Sequence, residues 1–303
     1  MSAAALIAID WGTSAARAYR VDASGAVLDV RHAPLGITQV RAGAFAPALA
    51  SLLGDWSTEP LPRLACGMIG SRQGWVEAPY LACPADFASL AGALARTPGG
   101  ELSIVPGVTC RDEAGVLDVI RGEETQLAGA IDANEDRVLA VLPGTHSKWA
   151  WVANGRIVEF VTYMTGEVYA VLLAHSILGR MAGRAAAAPG AAFAKGVARG
   201  LESGGVLHQI FGARTLALAG ELAGDDVPDW LSGVLIGAET RSARAWAQRF
   251  GDAGTHVRVI GGDALTGRYV AALEQAGFDA HRAPTDAAAR GLAAIARRAH
   301  LID

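Results

Sequence analysis

Apolar residues fall in short runs along this chain, and glycine, proline or an acid stops most of them. Leu6 to Ile9 is such a run, closed by Asp10, and it reads as a buried strand. Ala15 to Val21 and Ala26 to Val30 are two more strand candidates, parted by the turn chemistry of Asp22-Ala23-Ser24-Gly25. The chain thus opens as strand, polar Gly-Thr turn, strand, tight turn, strand. The same order returns mid-chain. Val138 to Leu142 meets Pro143-Gly144-Thr145-His146-Ser147, followed by Lys148 to Ala153, Asn154-Gly155 and Arg156 to Val161. Asn-Gly between apolar runs is a strong hairpin signal. Gly12-Thr13 and Gly144-Thr145 hold equivalent places in two halves, which predicts an internal duplication with a boundary near residues 106 to 112.

Elsewhere the spacing is helical. Phe45, Leu49, Leu52 and Leu53 predict an amphipathic helix over 44–56. Leu64 to Met68 and Leu102 to Val105 read as strands, with a loop over 69–75. Glu167 to Met181, Leu216 to Leu222 and Trp230 to Phe250 read as helices, and Ala185 to Gly190 as a small-residue loop or a loosely specified helix end. Val257 to Ile260 is a strand that opens into Gly261-Gly262-Asp263, with a helix following to Ala276. Thr285 is placed to cap a last helix, whose Asp286 near the start and Arg297 and Arg298 near the end suit the helix dipole.

Composition narrows the function classes. Over 303 residues, 51% apolar and 18% charged describe a chain that buries a core, and exclude a disordered one. A formal charge of -4 argues against a non-specific nucleic-acid binder. It leaves anionic small molecules open, because one local arginine can hold an acid whatever the global charge. Cys66, Cys83 and Cys110 are odd in number and form no CxxC, so neither a disulfide framework nor a cysteine zinc knuckle is expected; a reducing cytosol is the expected compartment. No basic stretch precedes the first apolar run, and no apolar stretch approaches the roughly 20 residues of a membrane span. The histidines are dispersed, with no HxxxH among them, so no zinc site is expected.

Three glycine loops follow apolar strands: Asp10-Trp11-Gly12-Thr13-Ser14, Pro143-Gly144-Thr145-His146-Ser147 and Gly261-Gly262-Asp263. Glycine lets backbone approach a ligand, and bare N–H groups suit phosphate oxygens. Thr and Ser hydroxyls add donors, and an acid ending the first strand can hold a hard divalent cation through water. There is no G-x-x-x-x-G-K-[ST] loop, and no G-x-G-x-x-G follows the first strand. A P-loop enzyme and a dinucleotide fold are therefore disfavoured.

The ordered set IAIDWGTSAARAY, GMIGSRQGW at 67–75, RGEETQLAGA at 121–130, LPGTHSKW at 142–149, TYMTGE at 162–167 and VIGGDALTGRYV at 259–270 covers nearly the whole chain. It resembles the 2-dehydro-3-deoxygalactonokinase family of the actin-like ATPase and sugar-kinase superfamily. The resemblance implies an α/β, two-domain actin-like ATPase (ribonuclease H-like) fold with the nucleotide cleft between domains, expected at 1–110 and 111–303. It implies ATP and Mg²⁺ as cofactors. Asp10, Gly12, Thr13 and Ser14 would form the first phosphate loop, with Asp10 organising Mg²⁺ through water. Gly144, Thr145, His146 and Ser147 would form the second, and Gly261 and Gly262 the adenosine side. Related sugar kinases carry a catalytic aspartate in a Gly-Asp pair before the second hairpin. Here Gly122-Glu123-Glu124 stands there, so Glu123 is the matching base, one methylene longer, with Glu124 the alternative.

The implied activity is in-line phosphorylation of 2-dehydro-3-deoxy-D-galactonate at the 6-hydroxyl, in galactonate catabolism. The substrate is an acid, and arginine grips carboxylates as a fork. Arg72, beside Gln73 and Trp75, is the first choice; Arg17 and Arg121 are alternatives. Tyr163, Thr165 and Glu167 are placed to meet sugar hydroxyls, and Lys148 a phosphate or the carboxylate. Trp75 and Tyr80 would either stack on the ligand or pack in the core. Two rival readings stay open: a kinase for another sugar or sugar acid, and a non-catalytic, ATP-binding regulatory protein. A cytoplasmic protein is expected, with small-molecule partners, no nucleic acid and no membrane; a homodimer is left open.

Overall fold

A computed structural model describes residues 3–41, 43–132, 134–184, 186–251 and 256–303. They form two compact units. The first comprises 1–136, 152–159 and 286–303; the second comprises 137–151 and 160–285.

The first unit holds strands β1 (Ala4–Trp11), β2 (Ala16–Asp22), β3 (Val27–Ala33), β4 (Arg63–Cys66), β5 (Tyr80–Ala82), β6 (Ala85–Asp86), β7 (Ala95–Arg96), β8 (Ser103–Ile104), β9 (Gly107–Arg111) and β10 (Leu117–Ile120). Its main sheet runs β3-β2-β1-β4-β8-β7, and a small one runs β10-β9-β5. β1 pairs antiparallel with β2, Asp10 facing Arg17, and parallel with β4, Asp10 beside Cys66. Leu6 to Ile9 are wholly buried because both faces of β1 are covered. On one face, Ile7, Ile9 and Trp11 pack with Phe45, Leu49, Leu52 and Leu53 of α1 (Phe45–Leu53). The helices α2 (Phe87–Gly92) and α3 (Glu123–Ala130) follow in this unit.

The second unit holds β11 (Arg137–Leu142), β12 (Ser147–Ala153), β13 (Arg156–Tyr163), β14 (His256–Val259) and β15 (Asp279–Arg282), with the hairpin tip 152–159 grouped with the first unit. The sheet order is β15-β14-β11-β12-β13-β6. Its helices are α4 (Thr165–His175), α5 (Ala191–Leu201), α6 (Val206–Ile210), α7 (Gly212–Leu218), α8 (Val227–Ala247) and α9 (Asp263–Gln275). The last helix, α10 (Ala287–Arg298), belongs to the first unit, where it packs on α3 and on β1. Asp286, not Thr285, holds its N-cap position.

The duplication read from the two hairpins is present as topology. Both sheets contain the order third, second, first, fourth strand (β3-β2-β1-β4 and β13-β12-β11-β14), and a parallel strand, β8 or β15, lies beyond the fourth. The units do not divide at 110/111 as expected. β10 pairs with β9, α3 packs on α10, and the carboxylates at 123 and 124 stand in the first unit and not with the second glycine hairpin.

α5 went unread because glycine weakens a helix by about 1 kcal/mol per residue, and its segment carries Gly196 and Gly200. Tertiary packing explains both. α5 lies so close to α8 that a Cβ at Gly196 would stand 2.1 Å from the Trp230 carbonyl oxygen. Among the described residues, no helix is long and apolar enough to cross a membrane.

Candidate active site

In the first unit, the ends of β1, β4 and β10 meet backbone to backbone. Side chains alternate along a strand, so with Ile7, Ile9 and Trp11 turned to α1, Asp10 faces the opposite side. Gly67, just after β4, has φ +91°; a Cβ there would lie 2.8 Å from the Trp11 carbonyl oxygen and 3.5 Å from Asp10 Oδ1. Gly122, which opens α3 with φ +105°, comes so close that its Cβ would lie 3.1 Å from the Gly67 Cα. These two glycines are what bring the first turn of α3 to Asp10.

The two glutamates of that turn have different surroundings. Glu124 is fully buried. Its Oε2 accepts from the Gly122 N–H (2.7 Å) and its Oε1 from the Thr125 hydroxyl (2.8 Å). Burial, reinforced by Glu123, pushes its pKa up to about 7. Glu123 is half-buried, and its Oε2 accepts from the Arg121 backbone N–H at 2.9 Å. The Asp10 carboxyl is raised by burial; Arg17 pulls it down, and Glu123 pushes it up again, which places Glu123 within electrostatic reach. Cys66, beside Asp10, is fully buried and its thiol is pushed far up by burial, so it packs as an apolar residue and is no nucleophile.

The raised Glu124 carboxyl has a measurable consequence. Its stabilising share is full below the ordinary value of 4.5 and is lost as pH rises through about 7. Glu124→Gln, whose amide the Thr125 hydroxyl can accept, removes that loss. Denaturant unfolding should show the variant gaining about 3 kcal/mol on the wild type between pH 4.5 and 8. Parallel pH profiles would contradict the assignment.

The first glycine hairpin is braced from behind. The Gly12 carbonyl accepts from the Ile37 N–H (3.0 Å), and the Thr13 carbonyl from the N–H (3.3 Å) and hydroxyl (2.9 Å) of Thr38. Gly36 lies so near that a Cβ would meet the Thr13 oxygen at 2.1 Å. The carbonyls that would repel an anion are turned inward, and Thr13 and Ser14 are exposed.

In the second unit, three glycine segments converge beyond the ends of β11 and β14. The Ile260 N–H donates to the Val141 carbonyl (2.9 Å), and a Cβ at Gly261 (φ +154°) would lie 3.7 Å from the Pro143 oxygen. Gly166 sits on Gly144, where a Cβ would come within 2.4 Å of its carbonyl oxygen; the Glu167 N–H donates to the Thr145 carbonyl (2.9 Å). Gly262 opens α9. A cavity of about 130 Å³ lies beside Gly144, lined by Thr165, Tyr169, Leu235, Leu265 and Arg268 among others.

Beneath these loops lies a residue that sequence reasoning missed. Glu239 of α8 is buried, and four donors from three elements converge on it. Ser147 Oγ and Trp149 Nε1 each donate to Oε1 at 2.7 Å, while the Tyr269 hydroxyl (2.8 Å) and the Thr165 hydroxyl donate to Oε2. Burial raises its pKa, and the four hydrogen bonds work against that rise. The signal was present: Leu235 and Ile236, four and three residues earlier, are buried and put position 239 on the same face.

Comparison with known proteins fits this geometry. Residues 10–295 match the profile of a family described as 2-keto-3-deoxy-galactonokinase. The chain belongs to the 2-keto-3-deoxy-galactonokinase family. It is 38% identical over 275 residues, 90% of both chains, to an Escherichia coli K12 protein named 2-dehydro-3-deoxygalactonokinase. A solved structure from Sinorhizobium meliloti, ascribed to the same activity, superposes with a TM-score of 0.88 at 36% identity, over 96% of this chain and 98% of that one. Component A of (R)-2-hydroxyglutaryl-CoA dehydratase from Acidaminococcus fermentans, at 15% identity and a TM-score of 0.53 over 97% and 98% of the chains, shares the fold alone.

Several expected contacts of this 2-keto-3-deoxy-galactonokinase family member are otherwise engaged. The Ser147 and Thr165 hydroxyls point inward to Glu239, and the Tyr163 hydroxyl donates to Ser242 Oγ (3.0 Å). Of the second loop, Thr145 and His146 are exposed; His146 Nε2 bonds Glu167, and Lys148 Nζ donates to the His146 carbonyl (2.8 Å). Trp75 stacks on Phe45 (6.2 Å, 14°) and packs, partly buried, against the core of the first unit. Arg121 is buried, donates from Nη2 to the Ala78 carbonyl (2.8 Å) and lies 4.2 Å over the Tyr80 ring, so it fastens the 68–80 loop to the glutamate turn. Arg72 is 88% exposed, with Glu77 the nearest acid at 3.7 Å, and Gln73 beside it is exposed too.

Proposed function

We propose that this chain transfers the γ-phosphoryl group of ATP to the 6-hydroxyl of 2-dehydro-3-deoxy-D-galactonate, with Glu123 as proton acceptor, as a cytoplasmic step of galactonate catabolism. The observation that carries the chemistry is the meeting of Asp10, Gly67 and Gly122. There Glu123 is half-buried and raises the Asp10 carboxyl, while Glu124 is fully buried, which supports Glu123 as the acceptor. Family membership supports the acceptor.

The residues present fit a nucleotide and a hard cation. Asp10 offers oxygen donors on the side that Gly67, lacking a Cβ, leaves open. A cation there would favour the ionised Asp10 carboxylate, against the burial that raises its pKa. Mg²⁺ and ATP, when bound, supply the transferred group and the charge that neutralises it. In the first unit the hydroxyls of Thr13 and Ser14 would bind phosphate oxygens; in the second unit the backbone of 144–146 would do the same, and Gly261 and Gly262 would leave room for a nucleoside. Glu123 takes the proton of the 6-hydroxyl as its oxygen bonds to phosphorus and the bond to the β–γ bridging oxygen breaks. Glu239 holds the second loop and α4 in register for this. Arg72, whose side chain is exposed, meets the substrate carboxylate, while Arg121 gives Nη2 to the Ala78 carbonyl and lies buried.

The test is a panel of sugars and sugar acids with ATP, read by ADP release. Turnover of the galactonate-derived acid above the rest is expected; none with it, and turnover of another acceptor, would refute the substrate. In the same assay Arg72→Ala should raise KM for the sugar acid about tenfold to a hundredfold, the worth of a charge-assisted fork. KM for ATP should stay unchanged. An unaltered KM for the acid would remove Arg72 from the site.

A further inference from the structure

Strands β14 and β15 pair in parallel, with His256 beside Asp279 and Arg258 beside His281. Asp279 and His281, two residues apart on one strand, share a face, and the register puts His256 on the same face. The three side chains converge. His256 Nδ1 lies 2.7 Å and His281 Nε2 3.1 Å from one oxygen of Asp279, Oδ2. All three donor atoms lie within 4.8 Å of one another, and all three side chains are exposed; among the described residues no other trio of His, Cys, Asp or Glu converges in this way.

Two imidazole nitrogens and a carboxylate oxygen form the donor set of a borderline transition metal. Bonds of about 2.0–2.2 Å at tetrahedral angles set neighbouring donors roughly 3.4 Å apart, so the observed trio needs only a small adjustment to close on an ion. The ion would take the place of the protons that bridge the rings to Asp279, and open coordination positions would face water. Mg²⁺, which favours oxygen ligands and keeps its waters, is a poor competitor there. The trio lies at the start of β14 and Gly261-Gly262 beyond its end, so it is no part of the catalytic machinery described above. β15 is the edge of its sheet, and edge strands lack one row of partners.

We propose that His256, Asp279 and His281 form a surface site for a divalent first-row transition metal, which clips the edge strand β15 to β14. The sequence could not show it, because 23 and 25 positions separate His256 from its two partners and only strand register unites them.

The test uses the tag-free full chain, stripped with a chelator and returned to excess Mg²⁺, then titrated with ZnCl₂ by calorimetry. One Zn²⁺ per chain is expected, with a Kd on the order of micromolar, and saturating Zn²⁺ should raise Tm by roughly 5 °C. His256→Ala and His281→Ala should each weaken binding by about tenfold or more and abolish the rise in Tm. Both should keep the wild-type circular dichroism and the phosphorylation rate in Mg²⁺. No binding by the wild type up to about 1 mM ZnCl₂, or undiminished binding in both histidine variants, would overturn the proposal.

Discussion

Glu123→Gln is expected to lower kcat for sugar-acid phosphorylation by about 10²- to 10⁴-fold, the usual worth of a positioned general base. Glutamine has nearly the same shape, and its carbonyl can still accept from the Arg121 N–H that Glu123 now holds at 2.9 Å. The turn should therefore keep its place, and ATP affinity, read by calorimetry, should stay within about twofold. What glutamine lacks is the capacity to take a proton from the attacking hydroxyl. Glu124→Gln serves as the contrast: its side chain is buried and held by its own turn, and its loss of activity should be far smaller. Were Glu123→Gln to retain full activity while Glu124→Gln lost it, the roles assigned to the pair would be reversed.

Glu239→Ala should destabilise the protein by about 4 kcal/mol and raise KM for ATP. The change leaves the Trp149 indole N–H and three hydroxyls without their acceptor in the core, at about 1–3 kcal/mol for each donor that finds no substitute. It also frees Ser147, where the second loop ends, and Thr165, where α4 begins. Glu239→Gln tells positioning from mere packing. The indole can only donate, so it must keep a glutamine oxygen. The amide nitrogen then faces Thr165 and Tyr269, whose hydroxyls can turn to accept. The glutamine variant should thus recover most of the stability and of the ATP affinity, as measured by thermal unfolding and nucleotide titration. An alanine variant with wild-type Tm and wild-type KM for ATP would remove Glu239 from this role.

Local pattern carried much of the fold. Short apolar runs closed by glycine or an acid became β1, β4, β11 and β14, and the spacing of Phe45, Leu49, Leu52 and Leu53 became α1. Elements whose residues answer to a distant partner were not legible. α5 carries interior glycines that only the close approach of α8 explains. β15 reads Asp-Ala-His-Arg, with no apolar run at all, and exists as the partner of β14. Among the candidate site residues, Asp10, Gly12, Thr13, Gly144, Gly261 and Glu123 could be proposed from sequence because glycine turns and carboxylates leave a mark in local sequence. The surroundings of Ser147, Tyr163, Thr165 and Trp75 were not legible, because whether a polar or aromatic side chain faces a ligand or the core depends on packing that local spacing does not encode.

By itself, the sequence determined that two strand–glycine hairpin units recur, that Asp10 closes the first apolar run and two acids follow Gly122, and that the chain matches a sugar-acid kinase family. These are properties of neighbours along the chain, where turn chemistry and strand periodicity act over a few residues. Only the tertiary structure decided which unit owns the glutamates, which of the two is buried, that Glu239 underlies the second loop, and that His256 meets Asp279 and His281. Each of those outcomes depends on segments far apart in sequence approaching within a few ångströms. Approaches of that kind are set by glycines without a Cβ, by strand register and by the burial of charge.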